Sequence, residues 1–406
     1  MLWIGILWTF LLPGMQAQNP LPTNDSLLSA LTGQVNADSV ENYMLFLQDM
    51  ETRFLIAPNR RKIASKIAEK FMVLGAESAR IDSFICHTSI NMGGLQYDTV
   101  TWQYNVIGTL SGMLDSEDYY VMGAHYDDVV FPDGDPMLLA PGADDNASGV
   151  AALFETVRIF SENDFLPMYS IEFVAFAAEE LMYYGHSGAQ AYVDSAMAQG
   201  KNLHMMINND MIAHTADDDW KIWISNYEGN EVLTSIGEFV TENYTEITPL
   251  LRPKTDEAGA DAYYFYEAGV PCIYFMEEDF NPYYHTENDL VENISIDYCV
   301  EAIKASVGVL VMAQDTTITG IETFEPGYLV SVYPNPTSGN LTIETELPGQ
   351  GTHYCYIRDI NGRTLESFDL RSSGKIDIGK YSNGLYILQV VAGEQVISHK
   401  ILLRKY

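Results

Sequence analysis

Apolar runs and amphipathic stretches alternate along the chain up to about residue 312. Continuous apolar runs at 119–124, 169–177 and 203–208 predict strands that are covered on both faces. Between Arg60 and Gly75, apolar residues recur at helical spacing and predict an amphipathic helix. Because such strands alternate with such helices, we predict an α/β fold with a mostly parallel central sheet flanked by helices.

The same pattern places the remaining elements of this first domain. A glycine-containing turn around Gly93 and Gly94 separates two predicted strands. The other predicted strands lie at 79–87, 102–110 and 270–276, and the other predicted helices at 147–160, 188–198, 232–244, 260–268 and 296–312.

The pattern changes near the C-terminus. Residues 315–325 resemble a linker in composition, and Asn361-Gly362 beyond them is a strong hairpin signal. Short alternating strands with regular turns predict a small C-terminal β-sandwich over residues 326–406. Its strands are predicted at 341–346, 354–359, 364–369, 375–379, 385–391 and 396–404.

The N-terminus predicts secretion. Residues 1–17 are strongly apolar but too short to span a bilayer comfortably, as in the core of a signal peptide, and cleavage is expected after Ala17. The first folded domain would then cover residues 18–314. No other segment is long and apolar enough for a membrane span, so we predict no transmembrane segment in the mature chain.

Charge and cysteine content narrow the possible partners. The chain has 56 acidic and 21 basic residues, a formal net charge of −35, which argues against nucleic-acid binding. The four cysteines are too few and scattered for a disulfide framework. Cys272 and Cys299 either form a disulfide or remain separate buried thiols. We expect a monomer.

Candidate catalytic residues follow several predicted strands. Each has a simple structural explanation when it is taken alone, such as a core histidine or a capped turn. Together they suit a metal site, because open α/β sheets bind ligands at the carboxyl ends of their strands. Two histidines with carboxylates favour zinc, although cobalt or manganese would also fit. The set comprises His125, Asp127, Asp144, Asp145, Glu179, Glu180, Asp210 and His285.

Five segments make the comparison with a known family specific. In chain order they resemble the metal-site motifs of the secreted di-zinc aminopeptidase family, which also includes glutaminyl cyclases and several carboxypeptidases. The resemblance runs from about Arg53 to Met312. The segments are GAHYDD, APGADDNASGVAAL, FAAEE, INNDM and NPYYHTENDL.

This resemblance implies a role for each candidate residue. It assigns Asp145 to a bridge between two zinc ions, with Asp144 as a structural neighbour. It makes Glu179 the general base, and Asp127 the partner that orients His125. The remaining ligands would be His125 and Asp210 on one ion, and Glu180 and His285 on the other.

One position departs from the family pattern. Many relatives have Ser-Asp-His before the last helix, whereas this chain has Ala260-Asp261-Ala262. The missing histidine is not among the five ligands, so its loss bears on substrate specificity. Nearby aromatic residues either line a pocket for an apolar side chain of the substrate or belong to the hydrophobic core. They are Tyr263, Tyr264, Phe265, Tyr266, Tyr283 and Tyr284.

The C-terminal region is similar to the sorting domain recognised by the type IX secretion system. VYPNPTSGNLTIE at its start and SNGLYILQVV near its end carry the resemblance. It implies export through the periplasm to the outside or the outer cell surface, with the domain removed or anchored afterwards. The alternative is a carbohydrate- or surface-binding module.

Three functions are compatible with the sequence. The first is a secreted zinc-dependent aminopeptidase that hydrolyses N-terminal residues, bulky apolar ones above all, from peptide substrates. The second is a glutaminyl-peptide cyclotransferase, which uses a related site with one zinc. The third is a catalytically idle surface binding protein, against which the intact Glu179 argues.

Overall fold

The computed structural model covers both predicted domains. The predicted signal peptide, the turn at Gly93-Gly94 and the Asn361-Gly362 hairpin lie outside the residues it describes. The described residues are 25–92, 95–113, 117–180, 187–254, 260–315, 329–334, 337–346, 353–359, 364–370, 373–382, 384–392, 395–403 and 405.

Helices and strands alternate through the first domain, as predicted. The helices are α1 (Asp25–Thr32), α2 (Ala37–Gln48), α3 (Arg60–Val73), α4 (Gly149–Glu162), α5 (Gly188–Ala198), α6 (Glu231–Tyr244), α7 (Asp261–Glu267) and α8 (Ile296–Asp315). The strands are β1 (Ser78–Met92), β2 (Leu95–Leu110), β3 (Asp118–His125), β4 (Ser170–Phe176), β5 (Asn202–Asn209), β6 (Lys221–Tyr227), β7 (Thr248–Lys254) and β8 (Cys272–Glu277).

The eight strands form one mixed sheet in the order β1-β2-β4-β3-β5-β8-β6-β7. Its centre, from β4 through β3 and β5 to β8, is parallel throughout. Antiparallel pairing occurs between β1 and β2, β2 and β4, and β6 and β8. The predicted α/β class is confirmed. The parallel centre brings the carboxyl ends of four strands to one edge.

Helices cover both faces of the sheet because its central strands are apolar on both sides. Along β3, Met122 packs into the larger core and Val121 into the smaller one. This alternation follows from the two-residue repeat of a strand. Helix α4 contacts β3, β4 and β5 from the larger core, while α5 and α7 pack on the opposite face.

The hydrophobic pattern did not predict two strands of the sheet, β6 and β7. Strands β6 and β7 pair in parallel at the end of the sheet. Pro249 and Pro253 lie within β7, and proline normally argues against a strand because it cannot donate to the ladder. The edge position of β7 resolves the conflict, since its outer N–H positions need no partner. Strands β1 and β2 are also longer than predicted.

The C-terminal region folds into two small antiparallel sheets, as the predicted β-sandwich requires. Its apolar core includes Leu341, Ile357 and Leu388. The three-stranded sheet has the order β13-β10-β9, and the four-stranded sheet β12-β11-β14-β15. The strands are β9 (Leu329–Tyr333), β10 (Asn340–Glu346), β11 (His353–Asp359), β12 (Thr364–Leu370), β13 (Ser373–Asp377), β14 (Gly384–Ala392) and β15 (Gln395–Leu403). Strand β9 was not predicted.

The four cysteines are separate buried thiols. The alternative of a Cys272–Cys299 disulfide is therefore wrong. Cys272 belongs to the smaller core and Cys299 to the larger one, so the sheet lies between them. In the part of the chain that the structure describes, no helix combines the length and the apolar character needed to cross a membrane.

A buried arginine fixes the loop that precedes α4. The guanidinium of Arg53 donates to the carbonyl oxygens of Tyr126 (2.7 Å), Pro141 (2.9 Å) and Gly142 (2.9 Å). It also lies 3.2 Å from the carboxylate of Asp128, and both side chains are buried. One planar group thus ties the end of β3 to the loop between β3 and α4, using the fork of donors that only arginine offers.

Replacing Arg53 by Met should destabilise the first domain strongly. The substitution leaves Asp128 as a buried charge without its cation, which typically costs about 3–5 kcal/mol in the free energy of unfolding. Urea unfolding monitored by circular dichroism measures this loss. Lys62→Met, on the exposed side of α3, is the control and should change the free energy by about 0.5 kcal/mol or less. Equal stability of the two variants would contradict the role of Arg53.

Candidate metal centre

Polar side chains meet at the carboxyl edge of the parallel strands. His125 is the last residue of β3, and Asp210 follows β5 directly. Glu179 and Glu180 come shortly after β4, and His285 follows β8. Asp145 reaches the same place from the kinked segment Ala143–Ser148, which leads into α4 and in which the backbone of Asp145 and Asn146 is not helical. The sheet therefore brings together the residues that the sequence predicted to form one site.

Asp145 lies between two imidazoles. Its Oδ1 is 3.2 Å from Nε2 of His125, and its Oδ2 is 3.2 Å from Nε2 of His285. The carboxylate is buried, and burial alone would raise its pKa. The two histidines nevertheless hold the pKa of Asp145 well below its usual range. Each oxygen of Asp145 thus points at a different set of ligand atoms, the arrangement expected of a carboxylate that bridges two cations.

The first set of candidate ligand atoms belongs to His125 and Asp210. Nε2 of His125 lies 3.3 Å from Oδ1 of Asp210. Its Nδ1 is 3.1 Å from the backbone oxygen of Asp127, so an Nδ1–H donated there leaves Nε2 free to coordinate. The hydroxyl of Tyr274 donates to Oδ2 of Asp210 at 3.5 Å. Both ligands therefore have an orienting neighbour.

Asp127 contacts more than the histidine. Oδ1 of Asp127 lies 3.7 Å from Nδ1 of His125, whereas the backbone oxygen of Asp127 lies 3.1 Å from that nitrogen. The carboxylate instead accepts the backbone N–H groups of Glu179 at 3.1 Å and Glu180 at 3.4 Å. Asp127 therefore positions the adjacent glutamates as well as His125.

The second set of candidate ligand atoms belongs to Glu180 and His285. Oε2 of Glu180 lies 3.0 Å from Nε2 of His285. Burial and the neighbouring Asp145 carboxylate raise the pKa of Glu180 to about 8. Burial would lower the pKa of His285, but the Glu180 and Asp145 carboxylates raise it to about 10. Removal of these protons must accompany metal binding, because both groups coordinate only in their deprotonated forms.

The imidazole nitrogens and carboxylate oxygens of these side chains are better placed to bind a cation than to form hydrogen bonds with one another. Among the described residues, Oε1 of Glu180 and Nε2 of His285 are buried yet make no hydrogen bond of acceptable geometry. Ligand atoms of His125, Asp145 and Glu180 lie within 4.8 Å of each other. Convergent imidazole nitrogens and carboxylate oxygens are the ligands that zinc takes in proteins.

Glu179 projects beside the ligands rather than among them. Its Oε2 is 4.0 Å from Nε2 of His125, and the side chain retains slight exposure to the cleft. Burial raises the pKa of Glu179 well above its ordinary value, opposed by His125. A carboxyl whose pKa is raised by burial is suited to exchange protons near neutral pH.

A second network holds the loop that carries Asp145. The buried carboxylate of Asp289 accepts the N–H of Asp144 at 3.0 Å and the N–H of Asp145 at 3.1 Å. Asp144 accepts from the N–H of Ala213 and the amide of Asn281, both at 2.9 Å. These contacts suit the structural role that the resemblance implied for Asp144. Asp289 lies in the segment NPYYHTENDL, yet the sequence reasoning gave it no role.

The turn before Asp145 requires a glycine. Gly142 has a φ of 47°, which favours glycine. A Cβ at this position would lie 2.4 Å from the backbone oxygen of Asp145 and 2.7 Å from Nη2 of Arg53. Three non-glycine residues next to or within the ligand set also have positive φ, which is uncommon and clusters at functional sites. They are Ala178 (61°), Met211 (52°) and His285 (57°).

A small cleft of about 210 Å³ opens over these side chains. Its lining includes the apolar and aromatic side chains of Met211, Met276, Phe280 and Tyr284, and the positively charged Arg252. The aromatic prediction is correct for Tyr284, whereas Phe265 is buried in the smaller core. Arg252 was missed because β7 itself was not predicted.

The sequence comparisons agree with this geometry. The sequence profile of peptidase family M28 matches residues 105–308, which is half of the chain and includes every candidate ligand. The chain belongs to peptidase family M28. The resemblance noted from the five segments is thereby confirmed.

Curated relatives match much of the first domain. A probable aminopeptidase of Saccharomyces cerevisiae is 27% identical over 226 residues, which is 53% of this chain and 59% of the relative. A probable leucine aminopeptidase of Trichophyton verrucosum is 23% identical over 297 residues, 70% of this chain and 75% of the relative. The first of these alignments leaves about two fifths of the relative's own length unmatched.

Solved structures share the fold of the first domain. A zinc aminopeptidase of Bacillus subtilis superimposes with a TM-score of 0.55 at 16% identity, covering 69% of this chain and 95% of that one. A glutaminyl cyclase of Bacteroides thetaiotaomicron bound to N-acetylhistamine gives 0.52 at 18% identity, covering 68% and 98%. At these identities the similarity shows the fold alone.

The C-terminal domain has its own match. The profile of a secretion system C-terminal sorting domain covers residues 331–404. This match confirms the predicted sorting domain and favours it over a carbohydrate-binding module. The M28 domain is therefore joined to a domain that directs export to the outside or the cell surface.

Replacing Asp289 by Ala should weaken metal binding without touching a ligand. The change removes both acceptors that hold the Asp144 and Asp145 amides, and loss of such an orienting partner typically costs about 10–100-fold in metal affinity. Zinc titration against a competing chelator measures the constant. Glu292→Ala, on an exposed position, should retain wild-type affinity, and an unchanged affinity for Asp289→Ala would refute the role of this loop network.

Proposed function

We propose that the protein is a secreted zinc-dependent aminopeptidase that removes N-terminal residues from peptides. The observation that carries the proposal is the position of Asp145, whose two oxygens lie 3.2 Å from the imidazoles of two different ligand sets. A carboxylate shared between two complete sets suits a hydrolase with two metal ions, which hold the attacking and leaving groups of a displacement.

The ligand sets are proposed to hold one zinc ion each. His125 and Asp210 would complete one site, Glu180 and His285 the other, with Asp145 shared between them. Zinc bound in this way supplies a water of lowered pKa and a positive charge beside the peptide carbonyl. The names of relatives such as the zinc aminopeptidase of Bacillus subtilis support zinc as the metal.

Glu179 is proposed to move the proton. Its carboxylate lies at the cleft, close enough to the ligands to face a water held there but outside the coordinating positions. It would accept a proton from the attacking water and then deliver that proton to the leaving amine. Asp127 supports this role because it fixes the backbone amide of Glu179.

The cleft supports an exopeptidase. Its small volume, about 210 Å³, leaves room for the end of a peptide rather than for a chain passing through it. The side chains of Met276, Phe280 and Tyr284 form a wall that suits an apolar N-terminal residue. The names of the fungal leucine aminopeptidases are consistent with this preference.

The sorting domain gives the proposal its cellular setting. Its match predicts an interaction with the type IX secretion machinery and peptide hydrolysis outside the cell. We propose residues 18–314 as the catalytic unit, residues 315–325 as a linker, and the domain from residue 326 onward as the export signal. The catalytic unit contains every proposed ligand.

Substrate assays separate the aminopeptidase from a cyclase. The purified, zinc-loaded chain should release aniline from leucine anilide, and a chelator should abolish this release until zinc is restored. Peptides with N-terminal glutamine should lose that residue by hydrolysis. Formation of pyroglutamyl peptide without hydrolysis of leucine anilide would contradict the proposal and favour a cyclotransferase.

Replacing Glu179 by Gln should lower turnover while zinc remains bound. Loss of a general base typically costs about 10²–10⁴-fold in rate, and the amide keeps the size of the side chain. Steady-state kinetics with leucine anilide, together with zinc analysis by mass spectrometry, provide the test. Glu292→Gln serves as the matched control, and full activity of the Glu179→Gln enzyme would rule out its proposed role.

A further inference from the structure

Arg252 gives the cleft a second recognition element. Among the described residues that line the cleft, it is the only arginine or lysine. The others are the ligand and base side chains or belong to the apolar and aromatic wall. The mechanism proposed above assigns no task to a guanidinium at this position.

The strand register places Arg252 on the side of the sheet that faces the metal centre. Arg252 of β7 pairs with Ser225 of β6, and Ser225 pairs with Tyr274 of β8. Side chains paired across neighbouring strands point to the same face. The hydroxyl of Tyr274 reaches Asp210, so Arg252 starts on the same face, two strand spacings or roughly 10 Å from Tyr274.

The chemistry of this side chain favours an anionic group. A guanidinium stays charged at all relevant pH values and presents a planar fork of donors that matches a carboxylate. Hydrogen bonds between two such ions are about twice as strong as those between neutral groups. The chain has a net charge of −35, and the half-buried Arg252 places a positive charge at the lining of this acidic cleft.

We propose that Arg252 binds a carboxylate carried by the peptide substrate, an inference that rests on the proposed aminopeptidase function. An extended peptide advances about 3.3–3.6 Å per residue, so a group two or three residues from the reacting end lies roughly 7–10 Å from it, comparable with the roughly 10 Å between the backbones of Tyr274 and Arg252. The carboxylate is either the C-terminus of a short peptide or an acidic side chain near the scissile bond. The preferred substrates are therefore short or acidic peptides with an apolar N-terminal residue.

Matched substrate pairs test this proposal and distinguish the two sources of the carboxylate. Leu-Gly and Leu-Gly-Gly are each compared with their C-terminal amides, and Leu-Asp-amide is compared with Leu-Asn-amide. The ratio of kcat/KM within each pair is measured for the zinc-loaded full chain. Because both members of a pair meet the same enzyme preparation, changes in folding or metal content cancel in the ratio.

The wild-type enzyme should favour the carboxylate member of at least one pair by roughly tenfold or more. Arg252→Gln should bring that ratio close to one, and Arg252→Lys should restore part of it. Arg252→Glu should favour the neutral member. Lys62→Gln removes one positive charge from the exposed side of α3 and should keep the wild-type ratio, which separates local binding from net charge.

The pattern of responses decides the outcome. A response confined to the C-terminal pairs identifies a free carboxyl terminus, and a response confined to the Asp and Asn pair identifies a side chain. Hydrolysis of the neutral members with equal ratios in wild type and Arg252→Gln overturns this inference alone. Failure of the wild-type enzyme to hydrolyse either member overturns the proposed function and this inference with it.

Discussion

The structure depends on a buried carboxylate that is shared by two imidazoles. Asp145 is almost fully buried, and its oxygens face His125 on one side and His285 on the other. Three further carboxylates, those of Glu179, Glu180 and Asp210, line the same cleft. Burying so many acidic groups together is unfavourable unless cations compensate them. Either protons or cations must therefore compensate these carboxyl groups, and bound metal ions would take the place of the protons.

Contacts away from the cleft stabilise the loop that carries Asp145. Arg53 binds the carbonyl oxygens at the start of the loop, and Asp289 binds the amide groups of Asp144 and Asp145. Gly142 lets the chain turn tightly enough for both contacts. Because backbone groups make these contacts, the loop holds its shape largely independently of the metal ligands. The position of Asp145 is thus supported by hydrogen bonds that involve none of its carboxylate oxygens.

The hydrophobic pattern predicted those elements whose formation depends on residues close together in the sequence. The continuous apolar runs before His125 and Asp210 predicted the buried strands and the polar residues that follow them. The elements that were missed depend on position in the finished fold. Strand β7 is tolerated with two prolines only because it lies at the edge of the sheet, and Arg252 reaches the cleft only through the β8-β6-β7 register. Arg53 lies far along the chain from the loop that it holds, so no local pattern could reveal its role.

Zinc-edge anomalous diffraction from crystals of the zinc-loaded protein tests the central claim most directly. The account predicts two peaks about 3.5–4 Å apart, with one oxygen of Asp145 directed at each. His125 and Asp210 should surround one peak, and Glu180 and His285 the other. A single peak, or two peaks that do not share Asp145, would contradict the account.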